Sequence, residues 1–394
     1  MEETCEPEGD DDEDEEERRI QKRNRQIAKE DAQRQKKSSS IVATCGGNTV
    51  CFIDCRLGKV MTKYSHVEEE DFMCLAWTTL DHSYDDSEEE GDKDAEEDRR
   101  EQSNILAVAG RLGSIKLINP LQNTCYKYLH GHTETILQLK FSLTNPRWLF
   151  SASTDGTARL WDIGSLTNYE KEACCLAKFV GLDDSSVTAI GVSEKYLIVG
   201  TEKGLMAQYN LFELSKEIER SQQAMEGKRQ THSVKPERIY PPSQEWHESS
   251  VDEINEDGDN NDDMGDGEFV FASRENCQGE ILVWDASKST ETDAELKTIL
   301  EWSISESWTK FTLAENMIVT SKKKGGAEAP LQRRGWEERR QNVLVAGSTD
   351  GKIVLFDLGR KPKRARDGNI VAAKPSAVSP PGPARSHHVL PTLT

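Results

Sequence analysis

Three cysteines, Cys45, Cys51 and Cys55, lie within one short segment of the sequence, CGGNTVCFIDC. Thiolates this close together can bind a zinc ion, usually as C-x-x-C pairs or together with histidines. The nine cysteines of the chain form no C-x-x-C pair, and this strand-like, apolar segment has no histidine nearby. The sequence therefore predicts buried free thiols here, no metal site, and a reduced intracellular environment.

The sequence carries no other signal of catalytic chemistry. We find no phosphate-binding loop, no nucleophile paired with a base, and no metal-ligand cluster. Gly46 and Gly47 begin a weak glycine-rich match, but they lie between two strand-like runs and not before a helix. We therefore predict a protein that is not an enzyme and that uses no cofactor and no small-molecule substrate.

The net charge of -21 is unevenly distributed over the 394 residues. About half of the acidic residues lie in three blocks, 1–17, 81–101 and 245–268, whereas 18–37 and 358–394 are basic. Blocks of like charge stay solvated, and they often bind partners of opposite charge, such as histone tails. No apolar run is long enough to span a membrane and the charged N-terminus is not a signal peptide, so we predict a soluble protein without membrane contact.

The elements that must position any functional residue follow a repeat. The segments STDGTARLWD (153–162) and STDGKIVLFD (348–357) are nearly the same. In both, a turn glycine is followed five residues later by a large apolar residue. The interval recurs, with asparagine in place of glycine in the first unit, at Asn48–Ile53, Gly113–Ile118, Gly156–Trp161, Gly204–Tyr209, Gly279–Trp284 and Gly351–Phe356. Asparagine is the usual second choice for positive φ, so Asn48 is predicted to adopt that conformation.

Each turn follows a short run of β-branched and aromatic residues, and further such runs fill the intervals. Four short strands per unit, at intervals of about 40 residues, are typical of β-propeller blades. The sequence thus predicts an all-β β-propeller with six visible blades, and a faint further echo at Gly368 leaves a seventh open. Helical periodicity is confined to 16–36.

We place the propeller at residues 40–359. Residues 1–39 are predicted to be an acidic and then basic segment, disordered or helical, and 360–394 a basic, proline-rich, disordered tail. Acidic inserts at about 81–103 and 212–267 and a basic insert at 321–341 interrupt the repeat. Loops tolerate such growth because their closure entropy rises slowly with length.

The unit that ends at Asp162 is the most complete one. It combines Gly131-His132, an Asp155-Gly156 turn and Trp161-Asp162, and in this it resembles the WD-repeat (WD40) family. The resemblance implies a hydrogen-bonded tetrad of His132, Ser151 (or Ser153), Asp155 and Trp161. Its role would be structural, because unpaired buried polar groups are costly, and not catalytic.

A closer resemblance covers about 42–360. The segments VATCGGNTVCFIDC, LAVAGRLGSIKLIN and LFSASTDGTARLWDIG resemble, in the same order, the WD domain of the leucine-rich repeat and WD repeat-containing proteins, a family associated with the origin recognition complex. The resemblance implies a nuclear scaffold that binds subunits of that complex and holds it on chromatin. It also implies binding of lysine-methylated histone tails at centromeric and telomeric heterochromatin. The family's leucine-rich repeats and last blade have no counterpart in the sequence.

Two basic segments agree with a location in the nucleus, on chromatin. In RKPKRAR the candidate import residues are Arg360, Lys361, Lys363, Arg364 and Arg366, and 18–37 resembles a two-part import signal. Basic segments also contact phosphates. Because no fold that reads bases is visible, any DNA contact is expected to be weak and nonspecific.

Two alternative functions stay open from the sequence. A methyl-lysine-reading propeller subunit of a histone methyltransferase complex would need an aromatic cage, for which Trp246, Trp302, Trp308 and Trp336 are candidates. A substrate adaptor of a ubiquitin ligase is less favoured. Such propellers commonly carry arginine two residues after Trp-Asp, where this chain has Gly164 and Ser287.

Overall fold

The structure is a computed structural model, and it describes residues in sixteen stretches that are separated by gaps. These are 41–81, 102–164, 173–182, 185–224, 230–240, 247, 250–257, 270–275, 280–286, 296–301, 308–322, 336–348, 353–357, 363–364, 370–371 and 377–378. The chain divides into two compact units, residues 1–43 with 52–61 and residues 44–51 with 62–394. Across these stretches no helix is long and apolar enough to cross a membrane.

The described part of the first unit is short. It consists of the start of β1 (Ile41–Gly46), the end of β2 (Thr49–Asp54), and the residues that lead into β3 (Lys59–Ser65). After β2 the carboxylate of Asp54 accepts hydrogen bonds from the amides of Arg56 at 2.8 Å and Leu57 at 3.1 Å. An aspartate that binds the amides two and three residues later fixes a tight turn, which ends the strand here.

Strands β1, β2 and β3 form a three-stranded sheet, and its first turn corrects the predicted role of Asn48. Gly47 has a φ of 54°, and Asn48 is not among the residues with positive φ. Glycine lacks the Cβ that makes this region costly, so the turn places its positive φ there. The side-chain amide of Asn48 instead donates to the carbonyl of His66 at 3.0 Å. The five-residue interval therefore runs from Gly47 to the buried Phe52, and the half-buried Ile53 follows it.

In its described residues, the second unit contains five further sheets of four or five strands. The second sheet is β4 (Phe72–Asp81), β5 (Gln102–Gly110), β6 (Ile115–Asn119) and β7 (Thr124–Leu129). The third is β8 (Ile136–Phe141), β9 (Trp148–Ser153), β10 (Ala158–Asp162) and β11 (Cys174–Phe179), with β15 (His232–Val234) added. The fourth is β12 (Val187–Val192), β13 (Tyr196–Thr201), β14 (Met206–Asn210) and β16 (Arg238–Tyr240). The fifth is β17 (Val251–Asp257), β18 (Val270–Glu275), β19 (Glu280–Asp285) and β20 (Leu296–Glu301). The sixth is β21 (Trp308–Lys322), β22 (Trp336–Ser348), β23 (Ile353–Asp357) and β26 (Ala377–Val378). A two-stranded ribbon joins β24 (Lys363–Arg364) and β25 (Ile370–Val371).

The second and third strands of these five sheets pair antiparallel in one common register. In each sheet the large apolar residue of the repeat faces an apolar residue of the preceding strand, and all five repeat residues are buried. The pairs are Leu106 with Ile118, Leu149 with Trp161, Leu197 with Tyr209, Phe271 with Trp284, and Leu344 with Phe356. Burying each such side chain stabilises the fold by roughly 2–3 kcal/mol, so the size of the residue matters more than its type.

Adjacent sheets share their cores. One buried cluster joins side chains of the second and third sheets, among them Ile115, Leu139 and Trp161. A second cluster joins the third and fourth sheets, and a third joins the fourth and fifth. Gly191 lies where a Cβ would come within 2.5 Å of the side chain of Ile254, so the fourth and fifth sheets are in close contact there.

The structure contains an α-helix that the sequence analysis missed, since helical periodicity was expected only in 16–36, outside the described residues. Helix α1 (Leu211–Ala224) begins after Asn210, whose side chain accepts the amide of Glu213 at 3.1 Å and so caps the helix. Leu211, Leu214 and Ile218 recur on one face and pack into the core of the third and fourth sheets. All but the first residue of the helix lie inside the predicted acidic insert 212–267.

The predicted inserts are shorter than expected, because strands extend into them. Within 212–267 the structure places β15, β16 and β17, and Val251 and Ile254 of β17 are buried although the segment is acidic. The first insert, 81–103, is shorter because residues at both of its ends belong to paired strands, β4 and β5, in which Asp81 pairs with Gln102. The basic insert, 321–341, is shorter because strands β21 and β22 extend into it from both ends, as far as the pair Lys322 and Trp336.

The tail 360–394 also departs from its prediction of disorder where it is described. Strand β26 pairs with β23 through Ala377 and Val378 and completes the sixth sheet, while β24 and β25 pair with each other. Val378 is apolar and lies opposite the buried Val354, so a strand can form there despite the surrounding prolines. Gly368, the echo of a seventh unit, and the segment 1–39 lie outside the described residues.

Candidate functional site: polar networks between loops and strands

The structure joins His132, Asp155, Ser151 and Trp161 in one hydrogen-bonded chain in the third sheet. His132 Nδ1 lies 2.7 Å from Asp155 Oδ2, and His132 Nε2 lies 2.7 Å from Ser151 Oγ. The indole N–H of Trp161 donates to the same Ser151 Oγ at 2.8 Å. These hydrogen bonds connect the loop before β8 to three other elements: strand β9, the turn that follows β9, and strand β10. Ser153, the alternative to Ser151, instead donates to the carbonyl of Glu134.

Burial sets the electrostatics of this network. Desolvation lowers the pKa of His132 below its ordinary value, although the adjacent Asp155 carboxylate opposes the shift. Burial alone would raise the pKa of Asp155, but hydrogen bonds from His132 and Thr157 hold it well below the usual range. The pair is therefore a neutral imidazole beside a carboxylate at neutral pH. In that state Nδ1 donates to Asp155 and Nε2 accepts from the hydroxyl of Ser151.

The atoms follow the order of a Ser-His-Asp triad, but the site has no access to a substrate. Ser151 is 0% exposed, and its oxygen already receives the indole N–H of Trp161. A nucleophile must reach the reacting atom of a substrate, which a fully buried hydroxyl between two strands does not do. The arrangement is suited to satisfying buried polar groups, each of which would cost about 1–3 kcal/mol if left unpaired.

The second sheet connects the equivalent elements with a different chemistry. Lys116 pairs with Val108 in the register in which Arg159 pairs with Ser151 in the third sheet. Its ammonium binds the carboxylate of Glu70, from the loop before β4, and both side chains are 0% exposed. Glu70 also accepts the amide of Leu112, at the turn after β5, at 3.2 Å. A buried ion pair thus holds loop, turn and strand together in a sheet where Ile118 and Val108 occupy the positions that Trp161 and Ser151 occupy in the third sheet.

The fifth sheet contains a second histidine network that the sequence analysis missed. His247 Nε2 lies 2.7 Å from Ser273 Oγ. Ser273 pairs with Leu282, two residues before the buried Trp284, as Ser151 pairs with Arg159, two residues before Trp161. Burial lowers the pKa of His247 to about 4. The available signal was Ser273, eleven residues before Trp284, which is close to the ten residues between Ser151 and Trp161. His247 itself lies inside the predicted acidic insert.

The turn glycines that the structure describes share one conformation. Gly113, Gly156 and Gly204 have φ of 68°, 77° and 83°, and each lies two residues before the first residue of a third strand. Only glycine adopts this region without strain, which accounts for its recurrence. Gly279 and Gly351 lie outside the described residues. The repeat residues Trp284 and Phe356 are buried in the fifth and sixth sheets.

The other predicted residues are dispersed. Of the candidate import residues, Lys363 and Arg364 form β24, while Arg360, Lys361 and Arg366 lie outside the described residues. Of the tryptophans proposed for a methyl-lysine cage, Trp246 and Trp302 also lie outside. Trp308 pairs with Ser348 at one end of the β21–β22 hairpin and Trp336 pairs with Lys322 at the other. At about 3.3 Å per residue this separates them by roughly 40 Å, so one cage cannot contain both.

Metal-binding residues are not gathered in the described part of the chain. Among those residues no group of three or more His, Cys, Asp or Glu side chains could hold a metal ion. Cys45 and Cys51 are half-buried and Cys55 is exposed, which differs from the expectation that all three are buried. Burial raises the pKa of the Cys45 thiol to about 11, so this residue is a protonated thiol at neutral pH.

Comparison with known proteins assigns the chain to a family. The family model of leucine-rich repeat and WD repeat-containing protein 1, WD domain, matches residues 11–208, half of the chain. The chain belongs to this family. The Xenopus tropicalis protein of that name is 28% identical over 324 residues, which are 80% of this chain and 40% of the relative. The Danio rerio protein is 27% identical over 278 residues, 66% of this chain and 32% of the relative. The chain thus spans about two fifths or less of the length of these relatives.

Polycomb proteins are a second group of relatives. Polycomb protein EED of Chaetomium thermophilum is 36% identical over 70 residues, 18% of this chain and 12% of that protein. A solved structure of the humanized mutant of Chaetomium thermophilum Polycomb Repressive Complex 2 bound to the inhibitor GSK343 matches with a TM-score of 0.51. It is 15% identical and covers 80% of this chain and 64% of that chain. At this identity the likeness concerns the fold alone, and it confirms the predicted WD40 β-propeller class.

Proposed function

We propose that this chain is a non-enzymatic nuclear scaffold that binds the origin recognition complex and chromatin, in DNA replication initiation and heterochromatin organisation. Membership of the leucine-rich repeat and WD repeat-containing family is the observation that carries the proposal. The inaccessible Ser151 supports a structural role for the His132 network, and the proposed scaffold would use no catalysis, cofactor or small-molecule substrate. Its partners would be subunits of the origin recognition complex and histone tails, lysine-methylated ones included, with weak nonspecific DNA contact.

An exposed apolar surface on the loops of the second sheet supports a protein-binding role. Val67 and Leu112 belong to the loop before β4 and the turn after β5, and Met73 lies at the start of β4. They are 48%, 45% and 49% exposed. The amide of Arg111 donates to the carbonyl of Asp71 at 3.0 Å, which holds loop and turn together. Large apolar side chains grouped on an exposed surface often mark a contact with another protein.

The proposal is tested by binding of the purified full chain to purified origin recognition complex. We expect a stable complex by size exclusion, weakened at least about tenfold when Leu112 and Met73 are both changed to serine. Leu143→Ser is the matched control, since Leu143 is 67% exposed on the loop between β8 and β9. Failure of the unmodified chain to bind any subunit of the complex would refute the proposal.

A methyl-lysine-reading subunit of a histone methyltransferase complex is the second candidate. The sequence similarity to Polycomb protein EED favours it. The distance between Trp308 and Trp336 argues against the cage suggested by the sequence. Tagged chain recovered from nuclear extract with methyltransferase subunits and without the origin recognition complex would favour this candidate. Recovery with a cullin-based ligase instead would favour a substrate adaptor.

A further inference from the structure

Four aromatic side chains form a continuous row on the edge strands of two neighbouring sheets. They are Tyr64 and His66, at the end of β3, and Tyr128 and His130, at the end of β7. Ring centroids are 6.3 Å apart between Tyr64 and His66, 6.1 Å between His66 and Tyr128, and 6.1 Å between Tyr128 and His130. The corresponding interplanar angles are 18°, 36° and 7°. We call these four residues the aromatic row.

The backbone around the row is fixed by contacts within the fold. The side chain of Asn123 donates to the carbonyl of Lys63 at 3.0 Å and joins the start of β7 to β3. His66 also stacks on the buried Phe72, with centroids 6.3 Å apart, and its amide donates to the carbonyl of Asn48. The row is therefore held in place before any partner binds, which reduces the entropic cost of binding.

The aromatic row is accessible to solvent. Tyr128 is 45% exposed, His130 is exposed, and Tyr64 and His66 are half-buried. Val67, 48% exposed, follows His66 directly in the sequence. None of the four tetrad residues belongs to the row.

Two exposed carboxylates closely follow His66 of the row in the sequence. Glu68 and Glu69 are exposed on the loop that follows His66. Of the nearby bases, Lys116 is buried against Glu70, and Lys127 donates to the carbonyl of Ile163. Lys63 is exposed next to Tyr64. Aromatic faces and carboxylates both attract cations, so the same surface favours a cationic partner in two ways.

We infer that the aromatic row and Glu68–Glu69 bind an arginine-rich polypeptide segment, with guanidinium groups stacked on the rings. Neighbouring rings of the row lie within 36° of parallel, so their faces have similar orientations, unlike the box of rings that surrounds a quaternary ammonium. A planar guanidinium stacks on such faces better than a compact ammonium. The inference rests on the proposed chromatin function to the extent that histone tails are segments of this kind.

The test measures binding of short fluorescent peptides to the full chain by anisotropy. The probes are an arginine-glycine peptide, its lysine counterpart and its trimethyl-lysine counterpart. We expect the arginine peptide to bind about threefold or more tightly than the lysine peptide. Equal binding of arginine and lysine peptides, or tightest binding of the trimethyl-lysine peptide, would overturn the inference.

Variants measure the contribution of the Tyr128 ring separately from that of the Glu68 and Glu69 carboxylates. Tyr128→Ala is expected to weaken arginine-peptide binding about threefold to fivefold, and Tyr128→Phe, which keeps the ring, to restore it. Phe212→Ala is the matched control, because Phe212 is a 52% exposed aromatic residue on α1. Changing Glu68 and Glu69 to glutamine should reduce the salt dependence of binding. Equal loss in Tyr128→Ala and Phe212→Ala would overturn the inference.

The origin recognition complex is measured with the same variants. Binding of that complex without any binding of the arginine peptide refutes this inference and leaves the proposed function standing. Binding of the arginine peptide without the complex refutes the proposed function and leaves the aromatic row as a basic-peptide site. Thermal unfolding of each variant, unchanged within a few degrees, confirms that the comparison concerns folded protein.

Discussion

The buried ion pair of Lys116 and Glu70 makes a quantitative prediction about stability. Both side chains are 0% exposed, so removing one partner leaves an uncompensated charge away from water. In Lys116→Met the Glu70 carboxylate keeps, among the described residues, the amides of Asp71 and Leu112, both at 3.2 Å. Breaking a buried pair in this way costs about 3–5 kcal/mol, and we expect Lys116→Met to lose that much.

The double variant Glu70→Gln with Lys116→Met separates charge from packing. Glutamine keeps an oxygen that can accept the two amides, and methionine keeps most of the volume of lysine. Neutral replacement of a buried pair is often close to neutral in stability, so the double variant should be at least about 2 kcal/mol more stable than Lys116→Met alone.

Urea unfolding, followed by tryptophan fluorescence, measures these differences at low and high salt. Because the pair is away from solvent, about 0.5 M NaCl should change the differences by only a few tenths of a kcal/mol. The reasoning is refuted if the free energy of unfolding of Lys116→Met is within about 1 kcal/mol of that of the unmodified chain. It is also refuted if the double variant is less stable than Lys116→Met.

Three further variants test the networks and the corrected turn. Ser151→Ala removes the hydrogen-bond partner of His132 and of Trp161 and should lower the free energy of unfolding by about 2–4 kcal/mol, as measured in urea. Thr154→Ala is the control and should lower it by less than about 1 kcal/mol. Equal losses would contradict the structural role of the tetrad. His247 has a folded pKa of about 4 and an ordinary value of 6.5, so the unfolded state takes up a proton first and stability falls as pH drops through that window. Between about pH 7.5 and pH 5 the free energy of unfolding of His247→Gln should therefore fall by about 2 kcal/mol less than that of the unmodified chain. Parallel dependence of the two unfolding free energies on pH would contradict this. Gly47→Ala forces a side chain into positive φ and should cost about 1–2 kcal/mol, whereas Gly46→Ala, with open space and ordinary φ, should cost under about 0.5; equal unfolding midpoints would contradict the corrected turn.

The fold could be predicted because its signal is repeated and local. A turn glycine and a large apolar residue five positions later report the start of a strand and its buried face, and both are set by neighbouring residues. The error at Asn48 shows the limit of this reasoning. Both Gly47 and Asn48 can occupy a turn with positive φ, and only the position of Phe52 in the core decides between them.

Polar contacts between distant segments were harder to predict. His247 lies 26 residues from Ser273, in a stretch whose acidic composition dominates, so spacing alone did not connect them. Glu70 and Lys116 are 46 residues apart and match no motif. Charge composition also misled at β17, where Val251 and Ile254 bury their side chains between acidic neighbours.

The three polar networks explain how the motif can vary while the fold persists. In each of the second, third and fifth sheets a side chain from a preceding loop or segment reaches a polar residue in the second or third strand. The pairs are Glu70 with Lys116, His132 with Ser151, and His247 with Ser273. The shared strand register brings these positions together whatever residues occupy them. Any pair that satisfies its own hydrogen bonds can then stabilise the sheet, because the main cost to avoid is an unpaired buried group. The Glu70–Lys116 pair fixes the base of the loop before β4 and of the turn after β5, while Val67 and Leu112 on these segments stay exposed to solvent.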